Sequence, residues 1–247
     1  MKKIPNDQRV GITESSEVAF NLDCLNNLYN ANIIISKRLT SKLIDALIAN
    51  KEKIIFHCCV TGMGGTKIEP FVPSYEKTYE KLKELIQKGF SIEQVVLRID
   101  PIVPTDKGIE TASKVLSLFC PLGIKRVRIS FLDQYKHVKK RLSEIGVSEL
   151  YDGNFHAPLE DRIKGVNEIK KYADEFNFDL EVCGEPGIES IPCISQKDID
   201  ILGLTDVITL VGSAEQRKSC KCPSNKYELI KGKPNRCKNS CVYCFWR

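Results

Sequence analysis

From residue 31 onward the chain alternates short β-branched apolar runs with longer stretches whose apolar residues recur every three to four positions. The runs at 32–36 (Asn-Ile-Ile-Ile-Ser), 53–60, 94–100, 126–131, 179–183 and 206–211 predict six strands. Helices are predicted at 41–50, where Ile44, Leu47 and Ile48 share a face, and at 74–88, 106–119, 134–145 and 159–176. Ser74 is the N-cap of the second of these and Gly89 its stop. A short strand at 9–13 and a helix through 18–29 are expected before them.

Repeated strand–helix units imply a parallel α/β sheet, because each crossover returns the chain to start the next strand in the same direction. Periodicity leaves two architectures open, a doubly wound sheet and a curved partial barrel. In both, chemistry gathers at the C-terminal strand tips. Those positions are His57-Cys58-Cys59 with the glycine turn that follows, Asp100-Pro101, Asp133, Cys183-Gly184-Glu185 and Gly212-Ser213. Two parts are expected: the strand–helix body at 1–213, and a cysteine-rich segment at 214–247 packed on its mouth. That segment has few apolar residues and is expected to need metal for its structure.

Composition changes the picture in two places. Eleven cysteines in 247 residues, an odd number, point to metal or cluster ligation rather than a disulfide framework. The net charge of +5 is also unevenly placed. Residues 214–247 hold nine Lys or Arg and two acids, so the other 213 positions hold 28 basic and 30 acidic side chains, a balance of −2. Such a field attracts polyanions or an acidic electron-donor protein, or offsets the charge of thiolate-bound clusters. No run of eighteen apolar residues marks a membrane span, and Met1-Lys2-Lys3 leads into no apolar stretch, so a cytoplasmic protein is expected.

The chemistry concentrates near the C-terminus, in Cys237-Lys238-Asn239-Ser240-Cys241-Val242-Tyr243-Cys244. Three thiolates spaced Cys-x3-Cys-x2-Cys can hold three irons of a [4Fe–4S] cube and leave the fourth open to a small molecule. A structural zinc site is the alternative, but it takes four ligands from paired knuckles, and Cys220 and Cys222 are only one residue apart. The run resembles the cluster signature of the radical S-adenosylmethionine (radical SAM) superfamily, with Tyr243 as the aromatic before the third cysteine. Similarity to a permuted group of relatives of spore photoproduct lyase extends through 62–70, Arg98-Ile99-Asp100-Pro101, Ser130-Phe131-Leu132-Asp133, Cys183-Gly184-Glu185 and 216–222.

That resemblance implies a partial (βα)6 TIM-type barrel, circularly permuted so that the cluster loop follows the last strand instead of the first. It also implies SAM chelated at the open iron and cleaved by one electron to a 5′-deoxyadenosyl radical, which takes hydrogen from the substrate. Tyr243 is then expected near the adenine, and the backbone of Gly64 and Gly65 at the methionine ammonium. In the superfamily the glycine turn often ends in an acid, where this chain has Thr66, with Glu69 following later. A nucleic acid or nucleotide is the expected substrate, and an acidic protein such as flavodoxin or ferredoxin the electron donor. No aromatic stacking surface is visible in the sequence. The reading from another class is a non-catalytic iron–sulfur or zinc protein, an electron relay or nucleic-acid-binding module.

Cys183, Cys193, Cys220 and Cys222 form a second candidate set, able to close an auxiliary cluster or hold a tetrahedral zinc, with buried free thiols as the alternative. Arg98 and Asp100 alternate along a strand and share a face, so they contact SAM or substrate, or else pair with each other. Glu185 is a candidate hydrogen-bond partner of SAM. Cys59, on the same face as His57, is a candidate hydrogen-atom donor by analogy with spore photoproduct lyase, or a buried thiol. His137 and His156 have no evident partners, and the basic run 136–141 reads as a phosphate contact or a solvated helix face.

Overall fold

The computed structural model describes residues 4–147, 150–215, 219–231 and 237–247. Among the described residues, seven strands, β1 (Val10–Ile12), β2 (Ala31–Ser36), β3 (Ile54–Cys59), β4 (Val95–Ile102), β5 (Arg126–Phe131), β6 (Asp179–Val182) and β7 (Lys226–Glu228), form one sheet in the order β6-β5-β4-β3-β2-β1-β7. Every pairing is parallel. Strands adjacent in sequence are adjacent in space, apart from β7, which is last in the chain yet pairs with β1. A doubly wound sheet reverses its strand order part-way. This order does not, and it is compatible with a partial TIM-like barrel.

The period-two alternation of the strands sorts their side chains onto two faces. Phe56, Cys58, Leu97, Ile99, Val127 and Ile129 pack on one face against α1 (Ser41–Ala49), α2 (Tyr75–Gln87), α3 (Asp106–Phe119) and α5 (Leu159–Glu175). The opposite face carries Ile12, Ile33, Ile55 and Val96, covered by Ile194, Ile208 and α6 (Gln196–Ile201). Farther along the sheet this second face turns polar. Arg126 pairs with Glu181 at 3.0 Å and Asp198 at 2.8 Å, and Arg128 pairs with Glu181 at 2.6 Å, all buried. Guanidinium groups in such a setting are tolerated only with partners of this kind.

Three expectations change. Residues 206–211 do not form a strand. Their backbone pairs with side-chain amides instead: Gln8 donates to Val207 O at 2.6 Å and accepts from Thr209 N, while Asn225 accepts from Val211 N and donates to Thr209 O. The seventh strand lies in the cysteine-rich tail, where Glu228 of β7 accepts from the backbone of Glu14 and Ser15 after β1. The helix expected at 18–29 is two 3-10 turns, Val18–Phe20 and Leu22–Asn27. The basic run lies in α4 (Lys136–Glu144), where Arg141 donates to the carbonyls of Cys244 and Arg247 and fastens the C-terminus.

Candidate functional site

The cysteine triad follows β7 and lies over the tips of β2 and β3. Val242 N donates to Ile68 O at 2.9 Å, fixing the loop to the turn after β3. Asn239, between the first two cysteines, donates to Glu17 Oε2 at 3.1 Å and accepts from Arg38 Nε at 3.2 Å. Glu17 also accepts from Ser36 Oγ at the end of β2 and from Lys37 N. Ser240 sits at φ +53°, a left-handed turn that doubles the loop back between Cys237 and Cys241. Cys241 is buried and Cys237 and Cys244 are half-buried. Burial pushes the Cys241 thiol up to about 12 and raises Cys237, whose sulfur faces the backbone N–H of Asn239.

Beside the triad is a buried polar knot. Lys37 Nζ lies 3.0 Å from Glu69 Oε1 and 5.5 Å from the Tyr243 ring centroid. Thr61 donates to Glu69 Oε2 at 2.7 Å, and the Tyr243 hydroxyl donates to Glu69 Oε1. Burial opposes the charge on Lys37, yet the Glu69 carboxylate raises it above its ordinary value. Burial, then Glu69, pushes the Tyr243 phenol well above its usual range, so it remains a donor.

Glu69 reaches this point because the glycine turn folds onto itself: Gly65 N donates to Glu69 O at 2.9 Å. A Cβ on Gly64 would lie 2.0 Å from the Pro73 carbonyl oxygen, so the close approach requires glycine. Gly65, at φ +79°, has open space beside it.

The second cysteine set comes together inside the sheet. Cys183 and Cys193 place their sulfurs 3.4 Å apart, and Cys193 N donates to Cys222 Sγ at 3.3 Å. Cys220, half-buried, stands two residues before Cys222. Hydrogen bonds from Cys183 and Cys222, helped by Arg98 and Arg128, hold Cys193 well below the ordinary thiol range. Among the described residues, no three His, Cys, Asp or Glu side chains already converge as ligands of one metal ion.

The model of the family described as Domain of unknown function (DUF1848) matches residues 27–246. The chain belongs to this family. No curated protein matches it.

Between the two cysteine sets of this DUF1848 chain lies the pair Arg98–Asp100. Arg98 Nε donates to Asp100 Oδ2 at 2.8 Å, with Nη2 on the same oxygen, and Nη1 donates to Cys193 Sγ at 3.4 Å. Asp100 also accepts from Ser130 Oγ, and its carbonyl accepts from Lys37 Nζ at 3.4 Å. Cys59 is buried within the fields of Lys37, Arg98 and Asp100. Burial raises its thiol to about 11, so it stays protonated.

Glu185 has its carboxylate taken up elsewhere, by Phe131 N at 2.8 Å and Arg162 Nη1 at 3.1 Å. His57 is fully buried, and among the described residues neither ring nitrogen has a hydrogen-bond partner. Burial, Arg128 and Arg98 lower it well below its ordinary value, and it is neutral.

Sequence reasoning missed several partners. His156 Nδ1 lies 2.7 Å from Asp133 Oδ1, and His137 stacks on Tyr135. Tyr135 also meets Phe155 at 4.8 Å and Phe245 at 4.7 Å, and Phe245 meets Trp246 at 5.2 Å. Trp246 is 65% exposed and Phe245 48%. These rings make an aromatic surface from three distant segments, beside the triad. Glu17 and Glu69 were likewise missed as site residues. The only signal for either was Glu69, the first acid after a glycine turn that lacks one. A cavity of about 880 Å³ along the β7 side, lined by Asn6, Arg9, Asn27, Tyr29 and Lys231, takes in none of the predicted site residues.

Proposed function

We propose that this chain is a radical SAM enzyme on a permuted partial barrel, with Cys237, Cys241 and Cys244 holding a [4Fe–4S] cluster. The observation that supports this best is the seat of the triad: its loop leaves β7 and is bound to the tips of β2 and β3 through Asn239 and Val242. Three thiols of one short segment at the mouth, with no fourth cysteine in that segment, suit a cube with one open iron. Such a cluster, when bound, supplies the electron that cleaves SAM reductively, the 5′-deoxyadenosyl group then taking a hydrogen atom from the substrate.

The chain's own residues do the positioning. Glu69, whose carboxylate holds Lys37, Thr61 and Tyr243, fixes the rim beside the glycine turn, and the backbone of Gly64 and Gly65 would receive an ammonium group. Tyr243 presents an aromatic face at the same rim. Arg98 and Asp100 hold the floor of the site through their mutual pair, and Cys59, protonated and interior, would serve as a hydrogen-atom donor. The aromatic surface from Tyr135 to Trp246, with Arg141 and Arg247 beside it, favours a nucleotide or nucleic acid, since stacking contributes about 1–3 kcal/mol per base. The basic tail would receive an acidic electron donor of the flavodoxin or ferredoxin type.

Anaerobic reconstitution with iron and sulfide, followed by reduction, should convert SAM to 5′-deoxyadenosine, and Cys241→Ala should abolish the conversion. A fully loaded cluster without cleavage under any reductant would end the enzyme reading. Zinc without iron at the triad would favour the non-catalytic binding module.

A further inference from the structure

The four interior cysteines belong to parts of the chain that the sheet itself leaves apart. Cys183 directly follows β6, one edge of the sheet, and Cys220 and Cys222 directly precede β7, the other edge. Cys193 lies on the segment that crosses the second face between them. A parallel sheet of this order leaves two edges with unpaired backbone groups, a weakness folds must cover or tie. Among the described residues β6 and β7 do not pair with each other.

The separation of the sulfurs distinguishes the ligands such a set suits. In a tetrahedral thiolate site with metal–sulfur bonds of about 2.3 Å, neighbouring sulfurs lie about 3.8 Å apart. Thiolates on separate irons of a cube stand much farther apart, because the cube's own irons lie between them. Cys183 and Cys193 are 3.4 Å apart, and Cys222 Sγ lies 3.3 Å from the backbone N of Cys193, with Cys220 two residues before it. A thiol hydrogen bond and a metal bridge hold sulfurs at similar spacing, so one ion can replace the shared protons with small side-chain rotations.

The surroundings match the charge of such a site. Four thiolates on a divalent ion carry a net charge of −2. Arg98 donates to Cys193 Sγ at 3.4 Å, and Lys226 Nζ lies 3.9 Å from Cys222 Sγ. Each cation is itself held by a carboxylate, Asp100 for Arg98 and Glu14 for Lys226 at 2.6 Å. Carboxylate, cation and sulfur in series resemble the outer partners that orient metal ligands. The backbone N–H of Cys193 adds a donor to Cys222 Sγ at 3.3 Å.

We infer that Cys183, Cys193, Cys220 and Cys222 bind a single tetrahedral thiophilic cation, zinc in the first instance, which clips the two free edges of the sheet together. The site is separate from the rim triad and stands whether or not the triad holds a cluster. Binding forms four metal–sulfur bonds and sends the remaining thiol protons to solvent, with no change of oxidation state. The ion therefore closes the curved sheet without adding a strand.

The test uses the full chain carrying Cys237→Ala, Cys241→Ala and Cys244→Ala together, so that the rim contributes no metal. It is offered Zn²⁺, Co²⁺, or Fe²⁺ with sulfide under anaerobic conditions, and metal content and X-ray absorption are read. The expected result is about one zinc per chain with four sulfurs at about 2.3 Å, and intense thiolate-to-metal absorption with Co²⁺. Zinc should also raise the unfolding midpoint and release protons on binding. Adding Cys193→Ser should reduce the bound zinc to background; should that variant fail to fold, the coordination number in the triad variant decides. No stoichiometric metal, fewer than four sulfurs, or a cluster absorbing in place of zinc would each overturn the inference. SAM cleavage is not read, so failure of the enzyme reading leaves this result unaffected.

Discussion

The two cysteine sets differ in how the chain produces them. The rim triad comes from one short segment, is partly solvent-accessible, and owes its geometry to a local turn at Ser240. The interior quartet comes from the end of β6, a crossing loop and the approach to β7, and most of it is buried. A local set can be recognised from spacing alone, because a few φ/ψ values fix it. A dispersed set exists only once the strand order brings both sheet edges to one interior. Arg98 and Asp100 join the two regions, touching Cys193 on one side and the Lys37 knot on the other.

Replacing Cys241 should have the largest effect and break the comparison most sharply: reductive SAM cleavage falls to background, while metal at the interior set is unchanged. Loss of both together, read by elemental analysis, would mean that the sets are not independent.

Replacing Arg98 with Met should act on both regions at once. It leaves the partly buried Asp100 without its Arg98 partner and should lower stability by about 1–3 kcal/mol in urea unfolding. The double variant Arg98→Met with Asp100→Leu should recover much of that, since no uncompensated charge remains.

Gly64→Ala tests the rim alone. Its Cβ would meet the Pro73 carbonyl, a backbone atom that cannot rotate away, so the turn must shift. A loss of about 1–3 kcal/mol is expected, with weaker SAM binding by equilibrium dialysis and unchanged zinc content.

A smaller effect should come from pH. Burial opposes ionisation of Asp100, but Arg98 and the Ser130 hydroxyl outweigh it and hold the carboxyl below its ordinary range. A depressed folded value means that the pair stabilises the fold above the unfolded value of about 3.9, and that this is lost as pH falls through the lower folded one. Asp100→Asn should therefore flatten the stability profile below about pH 4 and leave its shape near neutrality unchanged, as measured by urea midpoints across pH.

Much of the architecture was legible from the run of β-branched residues. Six of the seven strands fall where the apolar runs or the short segment near Val10 place them, and α1, α2, α3 and α5 match their periodic stretches. Residues 206–211 misled because an apolar run can be satisfied by side-chain amides as well as by a neighbouring strand, here those of Gln8 and Asn225. Lys226-Tyr227-Glu228 gave no apolar signal, because an edge strand this short is held by its pairing with β1 more than by burial. His156 looked partnerless because Asp133 is remote in sequence, and Arg126 and Arg128 passed unnoticed for the same reason, with Glu181 and Asp198 on later elements.

By itself the sequence determined the parallel strand–helix alternation, the spacing of the rim thiols and the identity of the four other candidate cysteines. These rest on local period and local spacing, which the backbone converts directly into shared faces and turns. Tertiary structure decided that β7 stands beside β1, that Glu69 and Glu17 flank the triad, that the aromatic surface exists, and that Cys183, Cys193 and Cys222 come together from distant segments. Each of those depends on contacts between distant segments, whose partners are set by strand order and the filling of one common interior rather than by any local pattern.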